Sequence, residues 1–265
     1  MVDYEYVTQG VGVINKIYER KNFISRKAPK IKGASFRGER LEQVIASNID
    51  LFFIVSSVDS PKFNNKVIDR FLVVAESCKI IPIIIINKCD LFYDKEVKYW
   101  EKLYKSIGYN LFVTSTETNK NINNLKKLIK GKTCIFWGQS GVGKSSIINK
   151  LFPELDLRVG EISDYNNKGR HTTVSVNLFV GEDDTNLIDT PGIREIDPFG
   201  IKKEDLSHYF IEFNEHRFNC RFNTCTHNHE PGCAIDLAVQ EGKITSERYE
   251  SYLSLLDTIE DDMLF

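Results

Sequence analysis

The chain has 265 residues, a formal net charge of −2 and 42% hydrophobic residues. This length and apolar content predict one large domain, alone or with small appendages. The six cysteines are not spaced like the disulfide framework of a small secreted protein. The first ten residues lack signal-peptide features, and no apolar run approaches the roughly 20 residues of a membrane span. We therefore expect a soluble, cytoplasmic protein that does not bind a membrane.

The N-terminal zone, residues 1–47, is basic. It contains nine lysines and arginines against five acidic residues, a net charge of +4. Short alternating segments, such as residues 12–18, are typical of small β-strands. The basic charge has two interpretations, a surface that binds RNA or an ordinary solvent-facing strand.

Residues 48–200 alternate between strand-like and helix-like segments. Apolar runs predict strands at residues 51–58, 80–86, 111–114, 133–137, 174–180 and 186–189. Helical spacing of apolar residues predicts helices at residues 67–78, 94–107, 121–130 and 144–151. This alternation predicts an α/β fold with a doubly wound parallel sheet. After it, residues 201–265 are predicted to form a helix, a Cys/His cluster and a second helix.

A phosphate-binding loop is predicted at residues 138–145, which read GQSGVGKS and fit the pattern GxxxxGK[ST] between a strand and a helix. In such a loop the backbone N–H groups surround the phosphates, Lys144 reaches the β- and γ-phosphate oxygens, and Ser145 binds Mg²⁺. The alternative is a strand–turn–helix with chance glycines. The candidate nucleotide-binding residues here are Gly138, Gln139, Ser140, Gly141, Val142, Gly143, Lys144, Ser145 and Ser146.

The base of the nucleotide is predicted to be guanine. Asn87-Lys88-Cys89-Asp90 follows the strand at residues 80–86, at the strand end where ligands of such sheets bind. A carboxylate at Asp90 accepts hydrogen bonds from the ring N–H and the exocyclic amine of guanine, donors that adenine does not present in that geometry. Thr114 and Ser115 follow the next strand and are placed by position as a second loop against the base.

Two further elements complete the set. Asp189-Thr190-Pro191-Gly192 ends another strand; Asp189 would hold Mg²⁺ through water, and the N–H of Gly192 would meet the γ-phosphate. Ordinary GTPases carry the phosphate loop first, then DxxG, then NKxD. Here the base-reading elements come first, which predicts a circular permutation of the fold.

A metal site is predicted between residues 216 and 233, which hold six of the eleven cysteines and histidines. Three thiolates and one imidazole suit a closed, tetrahedral zinc site, and such a site would replace the core that a small C-terminal zone lacks. The three thiolates are Cys220, Cys225 and Cys233. By spacing alone the imidazole is open among His227, His229 and His216, and a redox cysteine pair is the alternative to zinc.

Together these residues resemble the circularly permuted bacterial GTPases called RsgA or YjeQ, which mature the small ribosomal subunit. The matching segments are GQSGVGKSSIINKL, NKCDL, GRHTT at residues 169–173, DTPGIREI and the Cys/His cluster, with lesser matches in EQVIASNID and PKFNNKVIDRFLVVAE. The resemblance covers nearly everything from about residue 10 onward. It favours His227 as the fourth zinc ligand.

Hydrolysis is where the sequence departs from many GTPases. Ile193 follows DxxG, where many GTPases carry the glutamine that orients the attacking water. The resemblance suggests that Thr173 contacts Mg²⁺ and the γ-phosphate and that His171 positions the water. The alternatives for His171 are an exposed loop histidine or a contact to rRNA phosphate. Intrinsic hydrolysis is expected to be slow, with Arg170 and Arg194 the candidates for an arginine finger in cis.

The resemblance implies three domains: a short OB-fold-like RNA-binding segment at residues 1–47, a permuted GTPase domain at 48–200 and a zinc-binding α-helical domain at 201–265. A complete five-stranded OB barrel would need noticeably more chain than the first segment offers. The implied function is a Mg²⁺-dependent, monomeric GTPase that binds the small ribosomal subunit and its rRNA and hydrolyses GTP to GDP in late maturation. Two alternatives stay open, a GTPase acting on another RNA–protein complex and a GTP-dependent RNA-binding switch with little hydrolysis.

Overall fold

A computed structural model of the chain describes residues 1–8, 11–27, 42–155, 176–189 and 201–259. The described N-terminal residues form two antiparallel pairs, of β1 (Val2–Thr8) with β2 (Val11–Ile17) and of β3 (Phe23–Lys27) with β4 (Glu42–Ser47). Every residue of the first pair is exposed. The second pair buries Ile24 and Ala46 in the core described below.

The centre of the molecule is a six-stranded sheet. Its strands in chain order are β5 (Leu51–Ser57), β6 (Ile81–Asn87), β7 (Asn110–Val113), β8 (Thr133–Gly138), β9 (Asn177–Val180) and β10 (Asn186–Asp189). Across the sheet the order is β7–β6–β5–β8–β10–β9. All neighbours are parallel except β9, which is antiparallel to β10. The sheet is therefore mixed rather than fully parallel, because only a five-residue turn joins β9 to β10, and so short a connection can link only antiparallel strands.

Helices cover both faces of the sheet. One face carries α1 (Asn65–Ser77) and α2 (Lys95–Ile107), and the other carries α3 (Ile122–Ile129) and α4 (Lys144–Leu151). Successive residues of β5 alternate between the two cores, with Phe52 and Ile54 on the α1 side and Phe53 and Val55 on the α4 side. The doubly wound architecture predicted from the sequence is confirmed, and each predicted strand or helix in this part of the chain has its counterpart.

The strand order explains how a permuted chain closes its sheet. Strand β5 lies between β6, its successor in the chain, and β8, the third strand after it in the chain. The base-reading elements thus come from β6 and β7 on one side of β5, and the phosphate elements from β8 and β10 on the other. Because β5 to β8 and β10 are all parallel, their carboxyl ends, and the loops after them, lie along the same edge of the sheet.

The C-terminal unit is built on short helices. Within residues 201–259 the α-helices are α5 (Ala234–Gln240) and α6 (Ser246–Leu256). The single helix predicted before the Cys/His cluster is wrong: the chain forms three 3-10 helices at Lys203–Tyr209, Ile211–Glu215 and Arg217–Asn219. Phe210 between the first two has extended backbone angles and is fully buried with Phe213, so aromatic burial interrupts the helix. The core of this unit also takes in Val73 of α1.

The division of the chain at residues 47 and 200 stays a prediction, since β3–β4 already shares the core of the central sheet. Among the helices of the described ranges, none is both long and apolar enough to cross a bilayer.

Candidate functional site: a phosphate loop, a base-reading edge and a Cys/His cluster

The predicted phosphate loop lies between β8 and α4, at the carboxyl edge of the sheet. Gly138 ends β8 beside Val55, and a β-carbon at Gly138 would stand 2.6 Å from the Val55 carbonyl oxygen, so the two strands approach too closely for any side chain. Gly143, with φ of +88°, precedes the first turn of α4. The first N–H groups of a helix have no partner within it and can bind an anion. Gln139, Ser140 and Gly141 are exposed at this point.

The first turn of α4 contains Lys144, Ser145 and Ser146, and all three are half-buried. The Lys144 ammonium donates a 3.3 Å hydrogen bond to the carbonyl of Gly138, across the base of the loop. The side chain of Lys144 is therefore folded over the loop that it is predicted to serve, and Ser145 stands next to it at the helix start.

Asn87 joins the phosphate loop to residues 87–90 and 114–115, which we call the base-reading edge. Its side chain is buried, its amide donates to the carbonyl of Val142 at 3.1 Å, and its amide oxygen accepts from the Thr114 hydroxyl at 3.0 Å. A β-carbon at Gly143 would overlap the Asn87 amide. One side chain thus contacts both halves of the predicted site, which explains why an amide, with a donor and an acceptor, stands at this position.

The Lys88 side chain makes a contact that the sequence does not predict. Its backbone has φ of +64°, a conformation that costs energy in a residue with a side chain and clusters at functional sites. Its ammonium donates to the carbonyl oxygens of Ser60 at 2.7 Å and Asp59 at 3.5 Å, in the loop between β5 and α1. Ser-Pro at positions 60–61 signals a turn after a strand, but nothing in the sequence links it to Lys88.

The rest of the base-reading edge is tied together through the backbone. The N–H of Cys89 donates to the carbonyl of Thr114 at 3.1 Å, and the N–H of Thr114 donates to Ile86 at 2.8 Å. Thr114 and Ser115 are fully buried, whereas Asp90 is exposed, with its carboxylate accessible from solvent. The structure therefore places residues 87–90 and 114–115 side by side, as their positions after neighbouring parallel strands predict.

The remaining predicted residues of the nucleotide site are only partly described. Asp189 is the last residue of β10, which pairs with β8, so its backbone ends at the same edge as the phosphate loop. His171, Thr173, Gly192 and Ile193 lie outside the described residues.

The Cys/His cluster brings together the four predicted ligands. One ligand atom from each of Cys220, Cys225, His227 and Cys233 lies within 4.8 Å of all the others. The Nδ1 of His227 is 3.5 Å from the sulfurs of both Cys220 and Cys233. Zinc bonds of about 2.3 Å to sulfur and about 2.0 Å to nitrogen in a tetrahedron separate these atoms by about 3.5 Å. The residues present therefore fit a tetrahedral zinc ion.

Surrounding groups orient the cluster. The backbone N–H groups of Ala234 and Asp236, in the first turn of α5, point at the sulfurs of Cys220 and Cys233 at 3.3 and 3.5 Å. N–H donors of this kind stabilise thiolate charge. Burial lowers the pKa of His227, which keeps the imidazole neutral and its Nδ1 lone pair available to a metal. His229 does not belong to the cluster; its ring packs edge-on against Tyr249.

Replacing the two histidines separately tests this assignment. We expect His227→Ala to lower the bound zinc from about one ion per chain to well under half, because three thiolates alone do not close the tetrahedron. The matched variant, His229→Ala, is expected to keep its zinc. Metal content is measured by mass spectrometry on purified protein. Loss of zinc from His229→Ala with retention in His227→Ala would reverse the assignment.

Comparison with known proteins gives a consistent result. The family model described as RsgA GTPase matches residues 17–199. Proteins named small ribosomal subunit biogenesis GTPase RsgA are 38% identical in Phocaeicola vulgatus and 40% identical in Chlorobaculum parvum. The matches cover 96% and 94% of this chain and 80% and 79% of those proteins.

Solved structures show the same relationship. The crystal structure of YjeQ from Thermotoga maritima matches with a TM-score of 0.75 and 30% identity, over 97% of this chain and 81% of that one. That of YloQ, described as a circularly permuted GTPase, matches with a TM-score of 0.71 and 29% identity, over 97% and 78% of the two chains. On the family model and these relatives together, the chain belongs to the RsgA GTPase family.

Proposed function

We propose that this protein is a GTP-hydrolysing enzyme of the cytoplasm that acts as a monomer on the small ribosomal subunit and its rRNA during late maturation. The proposal rests on the contacts of the Asn87 side chain, which bonds to the phosphate loop at Val142 and to the base-reading edge at Thr114. A site built this way binds a base and its phosphates at once. The names of the relatives, small ribosomal subunit biogenesis GTPase, supply the partner.

The base-reading edge carries the choice of guanine. The exposed Asp90 carboxylate accepts hydrogen bonds from the two donors of guanine. The Lys88 ammonium is fixed by the carbonyls of Ser60 and Asp59, and the aliphatic part of its side chain would lie beside the base. Thr114 and Ser115 back this edge. Adenine does not offer the Asp90 carboxylate this pair of donors, so the site discriminates against adenine.

The phosphate loop carries the charge of the triphosphate. The start of α4 offers N–H donors and the positive end of the helix dipole, and Lys144 adds a full positive charge. Mg²⁺ bound at Ser145, with Thr173 as second ligand and Asp189 through water, would neutralise charge on the β- and γ-phosphates. Gly192 is assigned to the γ-phosphate, and His171 to the attacking water.

Zinc is the second metal of the proposal. Cys220, Cys225, His227 and Cys233 would hold it at a closed site with no position left for substrate. Its role is then to stabilise the C-terminal unit, and the chemistry of hydrolysis belongs to the nucleotide site.

GTP turnover with and without purified small ribosomal subunits tests the function. We expect stimulation of about tenfold or more by small subunits, because stabilisation of the transition-state charge supplied from outside accelerates such sites strongly. Large subunits serve as the control partner, and Lys144→Ala as the inactive variant. Binding of GTP to small subunits without turnover would replace the proposal by the RNA-binding switch, and stimulation by a different RNA–protein complex would replace the partner.

The His171→Ala variant tests the catalytic assignment. If the imidazole orients the water, subunit-stimulated kcat falls by about 100-fold, the usual scale for a positioned general base, while GTP affinity stays within about twofold. An unchanged stimulated kcat would remove His171 from the mechanism.

Exchange of Asp90 for asparagine tests the base. Asp90→Asn replaces one of the two carboxylate acceptors by an amide N–H donor that would face a donor of guanine, and we expect GDP affinity to fall about 100-fold. Xanthosine diphosphate, which carries a carbonyl where guanine has its amine, is expected to bind the variant better than the wild type. Titration calorimetry measures both. Equal GDP affinity in the two proteins would remove Asp90 from base recognition.

A further inference from the structure

A buried ion cluster joins helix α6 to helix α1. The guanidinium of Arg248, 1% exposed, donates to Asp69 of α1 at 2.6 Å and makes two bonds to Glu212, at 2.6 and 3.1 Å. The Tyr104 hydroxyl of α2 donates to the same Asp69 oxygen at 2.7 Å. A buried charge of this kind is fixed in place, because any shift would leave it unpaired.

A second contact holds the first residue of α1. The Asn65 amide donates to the Ser251 hydroxyl at 3.1 Å and approaches the carbonyl of Glu247 at 3.5 Å, both on α6. The N-cap of α1 is the preceding residue, Asn64, whose side chain accepts from the N–H of Val67. The first two turns of α1 are therefore attached to the C-terminal unit at Asn65 and at Asp69.

The loop that precedes this anchored turn is the one that holds Lys88. Asp59 and Ser60 give their carbonyls to the Lys88 ammonium, and Ser57 donates from its hydroxyl to the carbonyl of Pro61 at 2.7 Å. A β-carbon at Gly141 would stand 3.4 Å from the Ser60 carbonyl oxygen, so the loop also lies against the phosphate loop. Only three residues separate Pro61 from Asn65.

Two further residues of α6 bond to the backbone of the Cys/His cluster. The Tyr249 hydroxyl donates to the carbonyl of His227 at 2.8 Å, and the Tyr252 hydroxyl donates to that of Thr226 at 2.6 Å. Helix α6 therefore connects the cluster to the start of α1 through direct hydrogen bonds.

We propose that Asn65 and Arg248 are positioning residues for guanine recognition: by fixing the start of α1 on α6, they fix the 59–61 loop that holds Lys88 against the base. The C-terminal unit thereby sets the affinity of the nucleotide site that it does not itself line. This inference rests on the proposed function, since it requires that Lys88 contacts the base.

A double-mutant cycle with Lys88 tests the proposal. We expect Asn65→Ala to weaken GDP binding about threefold to fivefold, a scale typical of residues that couple to a site without touching it. In a Lys88→Ala background the same substitution is expected to change the affinity less than about 1.5-fold, because the loop then has no ammonium to hold. GDP affinity is measured by titration calorimetry on full-length, zinc-loaded protein.

Two further variants separate positioning from folding. Tyr99→Phe removes a hydrogen bond of 2.8 Å from α2 to Glu247 of the same helix α6, and is expected to leave GDP affinity within about twofold of wild type. Arg248→Lys keeps one charge for Asp69 but loses the paired bonds to Glu212, and is expected to weaken GDP binding while kcat at saturating GTP is unchanged.

The outcomes are distinct. An Asn65→Ala effect that disappears in the Lys88→Ala background supports the proposal. An unchanged GDP affinity in Asn65→Ala, or the same loss in both backgrounds, would overturn it. If wild-type protein itself fails to bind GDP, the proposed function fails instead.

Discussion

The parallel pairing of β5 with β8 is the contact on which the rest of the structure depends. In this permuted chain the base-reading strands come early and the phosphate strands late, and among the described strands only β5 pairs with both sets. The register sets Val55 opposite Gly138, with no room for a side chain on that glycine. That register brings the phosphate loop within reach of Asn87, whose amide then binds Val142 and Thr114 together. A slip along β8 would separate the two halves of the site.

Helix α1 connects the central sheet to the C-terminal unit. One side packs on the central sheet, while Val73 enters the core of the C-terminal unit. At Asp69 it meets the buried Arg248, and removing one partner of such an ion pair typically costs about 3–5 kcal/mol. The Cys/His cluster lies against the core of the same unit, which contains Phe210, Phe213 and Cys233. The C-terminal unit therefore packs against α1 and α2, the helices that precede and follow the base-reading strand β6 in the chain.

Much of the fold and site could be predicted from local patterns. The apolar run before Asn87 predicts a strand that is buried on both faces, and β6 is buried on both faces in the structure. The glycines of residues 138–143 and the three cysteines near residue 220 carry backbone and ligand requirements that few other sequences meet. Boundaries were within three residues for the elements of the central sheet. The helix predicted before the Cys/His cluster was wrong, because burial of Phe210 and Phe213 outweighed helical spacing.

The sequence by itself determined the permuted order of motifs, the doubly wound architecture and the identity of the candidate ligands, because each depends on residues close together in the chain. Only the tertiary structure decided which distant groups meet. Lys88 donates to the carbonyls of Asp59 and Ser60, and Arg248 donates to Asp69, across 179 positions of the chain. Every residue has a backbone carbonyl, so the sequence does not show which carbonyl will accept a given hydrogen bond. The partner of a buried charge is set by how whole helices pack.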